Sequence, residues 1–472
     1  MYDFLIRFRF DKLLEVESLV SEDLMNYVSN DVEIKIFGNV VNSQNVFDKI
    51  INNEVKGESL TSGIFGKYTI VYVNYKTQKL IVESDYFGGY KNVYYTKQNE
   101  SYYIFSSISY LKSRGFNIEF NYAIVDEFIY NGVIKTKDTL FCGIYKLLPN
   151  ESIVAEKSSI DTIKKTVEFL DSRYDLDTLF LTEKNIISEY IEILQLQDSR
   201  EINITLSGGY DSNFLLHVAE NLYDKKKINV FTCGGERGVD ETGIAENIAS
   251  IYGNVKVNKC VVGNKTLNCL MDIAERLEGA MYERGIFLQY ELANTLSVHG
   301  VKCILLGECA DQVFNINFYE GKEKQFLMNY IDNPYELGAM LVLKKSSLML
   351  DSFGIVGFYP FTDRRMIDVG YCTRMDNGVS KEYQKKMCCQ IFNPQICDLV
   401  GKKPGSTSLC SLFEDEEAEH SFIDYVKENN ELYNPAFRIS YKYERRESEL
   451  DYYICLEYLA CVKKYFVLNE EK

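Results

Sequence analysis

Ile202-Asn-Ile-Thr-Leu206, Ser207-Gly208-Gly209-Tyr210-Asp211-Ser212 and Asn213-Phe-Leu-Leu-His-Val-Ala219 run without a break, and their reading decides the fold of this chain. An apolar run, a glycine pair and a second apolar run predict strand, turn and helix in succession. Adjacent glycines let backbone N–H groups approach an anion closely. The Ser207 and Ser212 hydroxyls add donors, and the helix that follows contributes the positive end of its dipole. Together these make a phosphate cradle. The stretch lacks the lysine and the spacing of G-x-x-x-x-G-K-[ST], which excludes the ordinary P-loop for γ-phosphate transfer. A carboxylate among the donors, Asp211, points to a metal ion that escorts the phosphates. The plainer alternative is a glycine turn with Ser and Asp serving as helix caps.

Around this stretch the chain divides by pattern. Residues 1–160 are β-rich, with strand-like alternation at 68–74, 79–83, 92–95 and 101–105. Residues 161–182 are polar and resemble a linker. From 183 to 472, helical spacing at 183–194 is followed by strands at 202–206, 228–232, 255–262 and 301–306 that alternate with helices, and the last part is helical in pattern. The expected class is α/β, a β-rich sandwich followed by a parallel sheet wrapped by helices, with ligands at the carboxyl ends of the strands.

Composition narrows the function. The 472 residues are 46% hydrophobic, enough for two or three domains with full cores. No apolar run is long enough to span a membrane, and Asp3 and Arg7 interrupt the only segment that could act as a signal core, so the expected compartment is the cytoplasm. A net charge of −17 argues against nucleic acid as partner. Thirteen cysteines without a C-x-x-C pair suit reduced core thiols better than disulfides or zinc. With only His217, His299 and His420, histidine triads and histidine metal clusters have no support.

A second acid-bearing loop follows in Lys302-Cys-Ile-Leu-Leu306-Gly307-Glu308-Cys-Ala-Asp311-Gln312, where an apolar strand again ends in glycine and acids. Between the two loops, Val230-Phe-Thr232 ends a strand and Asp240-Glu241-Thr opens a helix. Asp240 and Glu241 also read as ordinary N-terminal helix charge, and Asp311 as a cap.

Ser-Gly-Gly-Tyr-Asp-Ser at 207–212, Asp240-Glu241-Thr, and Gly-Glu-Cys-Ala-Asp-Gln at 307–312 resemble the asparagine synthetase family of ATP pyrophosphatases. The family's usual forms are S-G-G-x-D-S, D-E and G-E-G-A-D-E. Tyr359-Pro-Phe-Thr-Asp363-Arg-Arg-Met is similar to its P-F-L-D segment. Lys381-Glu382 followed by Lys402-Lys403-Pro-Gly-Ser406 is similar to its lysine-bearing loop. Gly63-Ile-Phe65, Asp85-Tyr-Phe-Gly88, Ser106-Ser107 and residues 138–150 are similar to its N-terminal amidohydrolase-like, Ntn-type domain. The resemblance covers nearly the whole chain.

It implies chemistry in which ATP is split to AMP and pyrophosphate, a substrate carboxylate is adenylated, and an amine then displaces AMP. Asp211 and Asp311 would share Mg2+ bound to the phosphates, with Ser207, Gly208, Gly209 and Ser212 cradling the pyrophosphate. Leu206, Val230 and Leu306 would form an apolar slot for adenine. Thr232, Gly307 and Glu308 would complete the nucleotide site, and Lys403, or Lys402 in a shifted register, would stabilise charge on the tetrahedral intermediate.

The chain departs from the family pattern at two places. Glutamine-hydrolysing members use a cysteine at position 2, and here it is Tyr2, which predicts loss of the glutaminase. Gln312 replaces the usual Glu. In the first respect the chain is similar to the branch of β-lactam synthetases and lasso peptide cyclases. That branch implies a small-molecule or peptide substrate carrying carboxylate and amine, and leaves open a precursor-peptide partner and a homo-oligomer, neither of which any motif encodes. An ammonia-dependent asparagine synthetase and a catalytically silent nucleotide-binding scaffold are the competing readings.

Overall fold

Period-two alternation in the first third folds into two antiparallel sheets. In the computed structural model, which describes residues 3–9, 12–19, 25–41, 43–85, 88, 91–99, 101–156, 159–165, 176–197, 201–222, 227–236, 240–314, 339–377, 388–400, 412–434 and 449–467, the strands are β1 (Asp3–Arg9), β2 (Lys12–Leu19), β3 (Met25–Val28), β4 (Val32–Val41), β5 (Phe65–Asn74), β6 (Lys79–Ser84), β7 (Tyr94–Gln98), β8 (Ser101–Phe105), β9 (Ile144–Lys146), β10 (Glu151–Glu156) and β11 (Ser159–Lys164). One sheet has the order β2-β1-β8-β7-β9, the other β11-β10-β6-β5-β4-β3. Strand β5 shows why they stack. Val71 and Val73 face Phe4 and Ile6 of the first sheet, whereas Tyr68, Ile70 and Tyr72 turn the other way onto Val46 and Ile50 of the helix Val46–Lys56. The Phe4 and Phe37 rings meet across the sandwich with centroids 4.8 Å apart.

The second half holds an all-parallel sheet of β12 (Glu201–Thr205), β13 (Lys227–Gly235), β14 (Val255–Val262), β15 (Cys303–Leu305) and β16 (Val356–Phe358), in the order β14-β13-β12-β15-β16. The chain steps outward from β12 to β14 and returns to the opposite side of β12 with β15. The order therefore reverses between β12 and β15, the place in an open α/β sheet where ligands collect. Ile204 of β12 registers with Val230 of β13 and Leu305 of β15, which aligns the carboxyl ends of all three strands.

Structure reaches into the expected linker, residues 161–182, from both sides. Strand β11 pairs with β10 as far as Lys164, and the helix expected at 183–194 spans Leu176–Gln197. Polar composition hid both, because β11 is a sheet edge and because the start of the helix buries Leu179 while leaving Leu181 exposed.

The two halves share buried polar contacts. The helix Ile108–Ser113 belongs to the first half, but its N-terminus is capped from the second by the half-buried Glu278. That carboxylate accepts from the Ser107 hydroxyl at 2.6 Å and from the N–H groups of Ile108 and Ser109 at 2.9 and 3.0 Å. Glu278 holds a left-handed backbone at φ 51°, followed by Gly279, where a methyl group would stand 2.9 Å from Leu140 and 3.0 Å from Val462. Lys91 bridges Asp3 at 2.7 Å and Asp351 at 3.2 Å, and Lys344 donates to the Gly88 carbonyl. The helix Glu449–Phe466 closes over the first half, stacking Tyr458 on Phe128 and setting Phe466 against Phe141.

Burial depresses three of the lysine amines near this junction, Lys67 to about 8 and Lys146 and Lys344 to about 7. A lysine held below its unfolded value penalises folding wherever the unfolded chain is still protonated. Stability should therefore rise with pH above about 7, by at most about 1.4 kcal/mol per pH unit for each amine deprotonated in the fold. Above about 8.5 the thiols of the unfolded chain ionise and oppose the trend. Denaturant melts at the two ends of this window should show a higher midpoint at the alkaline end. A flat or falling midpoint would mean that these amines stay charged.

Candidate active site

The first acid-bearing loop is pinned from inside. Strand β12 ends at Thr205, and the next N–H, that of Leu206, still donates to Phe231 O at 2.8 Å before the chain turns. The Ser207 N–H donates to Ser212 Oγ at 3.0 Å, and the two hydroxyls lie 3.1 Å apart. The Gly209 N–H donates to Ser207 Oγ at 3.2 Å. Asn213, fully buried in the first turn of the helix Tyr210–Leu222, donates to the carbonyls of Ser207 and Gly209 at 3.0 and 2.7 Å. The cradle is thus shaped before any anion arrives, with the positive end of a 13-residue helix behind it.

The second loop packs directly on the first. A methyl group added at Gly307 would stand 3.2 Å from the Ser212 nitrogen and 3.5 Å from the Asp211 carbonyl carbon, a tight fit that glycine relieves. Asp311, exposed, lies in the helix Ala310–Phe314 that continues this loop, which puts both aspartates at one sheet edge. Among the described residues no group of three or more His, Cys, Asp and Glu could hold a metal. Two carboxylates on adjoining loops fit a hard cation that takes its other ligands from phosphate and water, as Mg2+ does.

At the end of β13, Thr232 is buried and its hydroxyl has no hydrogen-bond partner among the described residues, an unmet polar atom at the same edge. Beyond it, Asp240 Oδ1 accepts from the Thr242 N–H at 2.9 Å and the Asp240 backbone bridges to Gly234, which is the capping alternative for this motif. Leu206, Val230 and Leu306 are at most 2% exposed and sit in the core. They end their strands at the same sheet edge as the two acid-bearing loops. Lys402 and Lys403 lie outside the described residues, as do Tyr2 and Lys381-Glu382.

Glu308 has surroundings that its motif does not announce. Its Oε1 accepts from Gln289 Nε2 at 2.6 Å, while Oε2 has no partner among the described residues. Lys345 stands nearby and is ion-paired with Glu283. Burial raises the Glu308 carboxyl above the usual range, and Lys345, Ser346 and Gln289 offset part of that rise. The Ser346 hydroxyl, which lies 2.9 Å from the Tyr359 hydroxyl, favours the charged form without completing a hydrogen bond to Oε2. Asp363 of the Tyr359–Asp363 segment is fully engaged by Arg365, at 3.0 and 2.9 Å, and Arg365 also reaches Glu189 at 2.8 Å. Sequence reasoning missed Gln289, Glu283 and Lys345. For Gln289 and Lys345 the available signal was polar residues inside two otherwise apolar helical runs, at 286–293 and 339–350.

Comparison with known proteins follows the same division of the chain. Residues 47–166 match a glutamine amidotransferase domain and residues 193–329 match asparagine synthase. No curated protein matches. Among solved structures, a U34-tRNA thiolase from Methanococcus maripaludis aligns at 14% identity and TM-score 0.30, covering 64% of this chain and 85% of its own. The glutamine phosphoribosylpyrophosphate amidotransferase from B. subtilis aligns at 10% identity and TM-score 0.22, covering 88% and 92%. These likenesses are too distant to inform the reading. The two domain matches fall on the halves that the motifs mark out, in the same order, and the chain belongs to the asparagine synthetase family, ATP-dependent ligases that form C–N bonds.

Proposed function

We propose that this chain is an amide synthetase without glutaminase activity that closes a lactam or macrolactam within one substrate, in peptide natural-product biosynthesis. The observation that carries the synthetase part is the packing of Gly307 on Asp211 and Ser212, which brings two acid-bearing loops to one sheet edge. A substrate carboxylate attacks the α-phosphorus of ATP, and the loop from Ser207 to Ser212 holds the departing pyrophosphate. Asp211 and Asp311 would hold Mg2+, which supplies neutralisation of charge on the leaving oxygens. The amine then displaces AMP, with Lys403 or Lys402 facing the charge that develops on the acyl oxygen. Closing a ring gains from proximity, since one pocket holds both reacting groups.

The finer reading is supported by Tyr2, which stands where glutamine-hydrolysing members carry cysteine, and by the absence of any cysteine before Cys142. Around the start of β1 the space is taken by ion pairs, Asp3 with Lys91 and Lys91 with Asp351. The proposed division is an amidotransferase-like scaffold over 1–160, a connecting segment over 161–182 and the synthetase over 183–472.

Incubation with glutamine should release no glutamate above an enzyme-free blank, and release at a rate comparable to amide synthesis would overturn the scaffold assignment. With ATP and a peptide encoded beside the gene, the expected product has lost one water. Asparagine formed from aspartate and ammonium at the same rate would favour the ammonia-dependent reading instead.

A further inference from the structure

Two of the described cysteines are exposed, Cys142 and Cys389. Cys142 donates to the Phe120 carbonyl at 3.5 Å. Cys389 has a second thiol beside it. Cys397, eight positions on, brings its Sγ to 3.7 Å from the Cys389 carbonyl oxygen, and its thiol interacts with the Cys389 thiol. Local bonds fix this return of the chain. The Asn393 side chain caps the helix Pro394–Leu399 by accepting from the Gln395 N–H at 3.0 Å, the Cys397 N–H donates to Asn393 O at 3.1 Å, and the Phe392 N–H donates to Cys388 O at 2.8 Å. Cys388, Phe392 and Ile396 are buried under the turn, while Cys389 is open to solvent and Cys397 is half-buried.

The turn lies against the pyrophosphate loop. Tyr210, between Gly209 and Asp211, has its phenol pushed up first by burial and then by the neighbouring thiols of Cys389, Cys397 and Cys388. The Phe392 ring stands 5.5 Å from that of His217, on the helix that starts at Tyr210. On the other side, the helix Pro394–Leu399 packs on the helix Thr242–Tyr252, and Tyr252 is near Cys388 and Cys397. Burial, the Cys389 thiol and Asp398 raise the Cys397 thiol to about 11, so Cys397 keeps its proton at neutral pH. The two thiols are thus unequal: a reagent reaches Cys389 first, and Cys397 waits beside it.

The geometry points to a thiol–disulfide site on the wall of the pyrophosphate loop, in which Cys389 and Cys397 exchange with a small-molecule disulfide of the glutathione class and close to an intramolecular disulfide. The Cys389 thiolate attacks one sulfur of the reagent, the reagent S–S bond breaks, and one thiolate leaves with the electron pair and takes up a proton. Cys397 then gives its proton to water and attacks the Cys389 sulfur, which expels the second reagent thiolate. Two protein thiols are oxidised by two electrons, and the reagent is reduced to two thiols. The closed form ties the helix Pro394–Leu399 to Cys389 next to Tyr210. This goes beyond the synthetase reading and does not depend on it.

The test treats the full-length chain with oxidised glutathione, quenches the remaining thiols with acid and alkylation, and maps the peptides by mass. Cys142 should stop at the mixed disulfide, whereas Cys389 should pass through it to a disulfide with Cys397. Closure should quicken by about tenfold from about pH 7 to pH 8, because the thiolate fraction of a thiol that titrates well above this range grows by that factor. Cys397→Ser should hold Cys389 at the mixed disulfide, and Cys389→Ser should leave Cys397 unmodified. A mixed disulfide on Cys389 that persists in the unaltered chain as long as the one on Cys142 would overturn the site. Closure of Cys389 onto Cys388 or Cys410 in place of Cys397 would do the same. So would a Cys397→Ser variant that melts normally and still loses its adduct at the unaltered rate.

Discussion

Asp311→Asn should lower carboxylate-dependent exchange of pyrophosphate into ATP by about 10²-fold, the scale of losing one major electrostatic contact to a developing charge. The variant keeps the shape of the loop and removes only the charge. Asp211→Asn should cost a similar factor, because the two aspartates are read as ligands of one ion. If they act as a unit, the double variant will be little worse than either single one, whereas independent roles would multiply the losses. Exchange assays on the three variants decide this. Near-normal exchange in Asp311→Asn would remove the shared metal from the mechanism and leave Asp311 as a helix cap.

Alanine at the functional lysine of the loop at 402–403 should depress product formation by about 10²-fold or more while MgATP affinity stays unchanged. An interaction made in the transition state shows in turnover and not in ground-state binding. One of Lys402→Ala and Lys403→Ala should carry the whole effect. Affinity and product formation measured for each variant separate the cases. Two fully active variants would place the charge-stabilising cation elsewhere, and Lys345, beside Glu308, would be the next to examine.

The parts of the fold that depend on local pattern were legible. Strands at 68–74, 101–105 and 255–262 read directly from alternation, and the cradle at 207–212 from its glycines and hydroxyls. What was not legible depends on distant partners. Nothing near Glu278 says that it caps a helix begun at Ser107, and β11 looks like linker until β10 lies beside it. The adenine slot depends on such partners too. Leu206, Val230 and Leu306 do end their strands, but in a sheet covered on both faces the side chains at those ends belong to the core. Gln289 and Lys345 carry their meaning only through Glu308, which none of the flanking sequence indicates.

The cap that Glu278 provides also bears on how such a chain can evolve. Each half holds a polar debt that only the other discharges. Without the first half, the Glu278 carboxylate would lose its three donors, and without the second, a helix start would lose its acceptor. Gene fusion can join two such pieces, but recombination cannot later separate or exchange them without rebuilding both sides of the seam. The amidotransferase-like half is therefore inherited for its fit, whatever chemistry it performs, and its sequence can drift fastest where it faces away from Glu278.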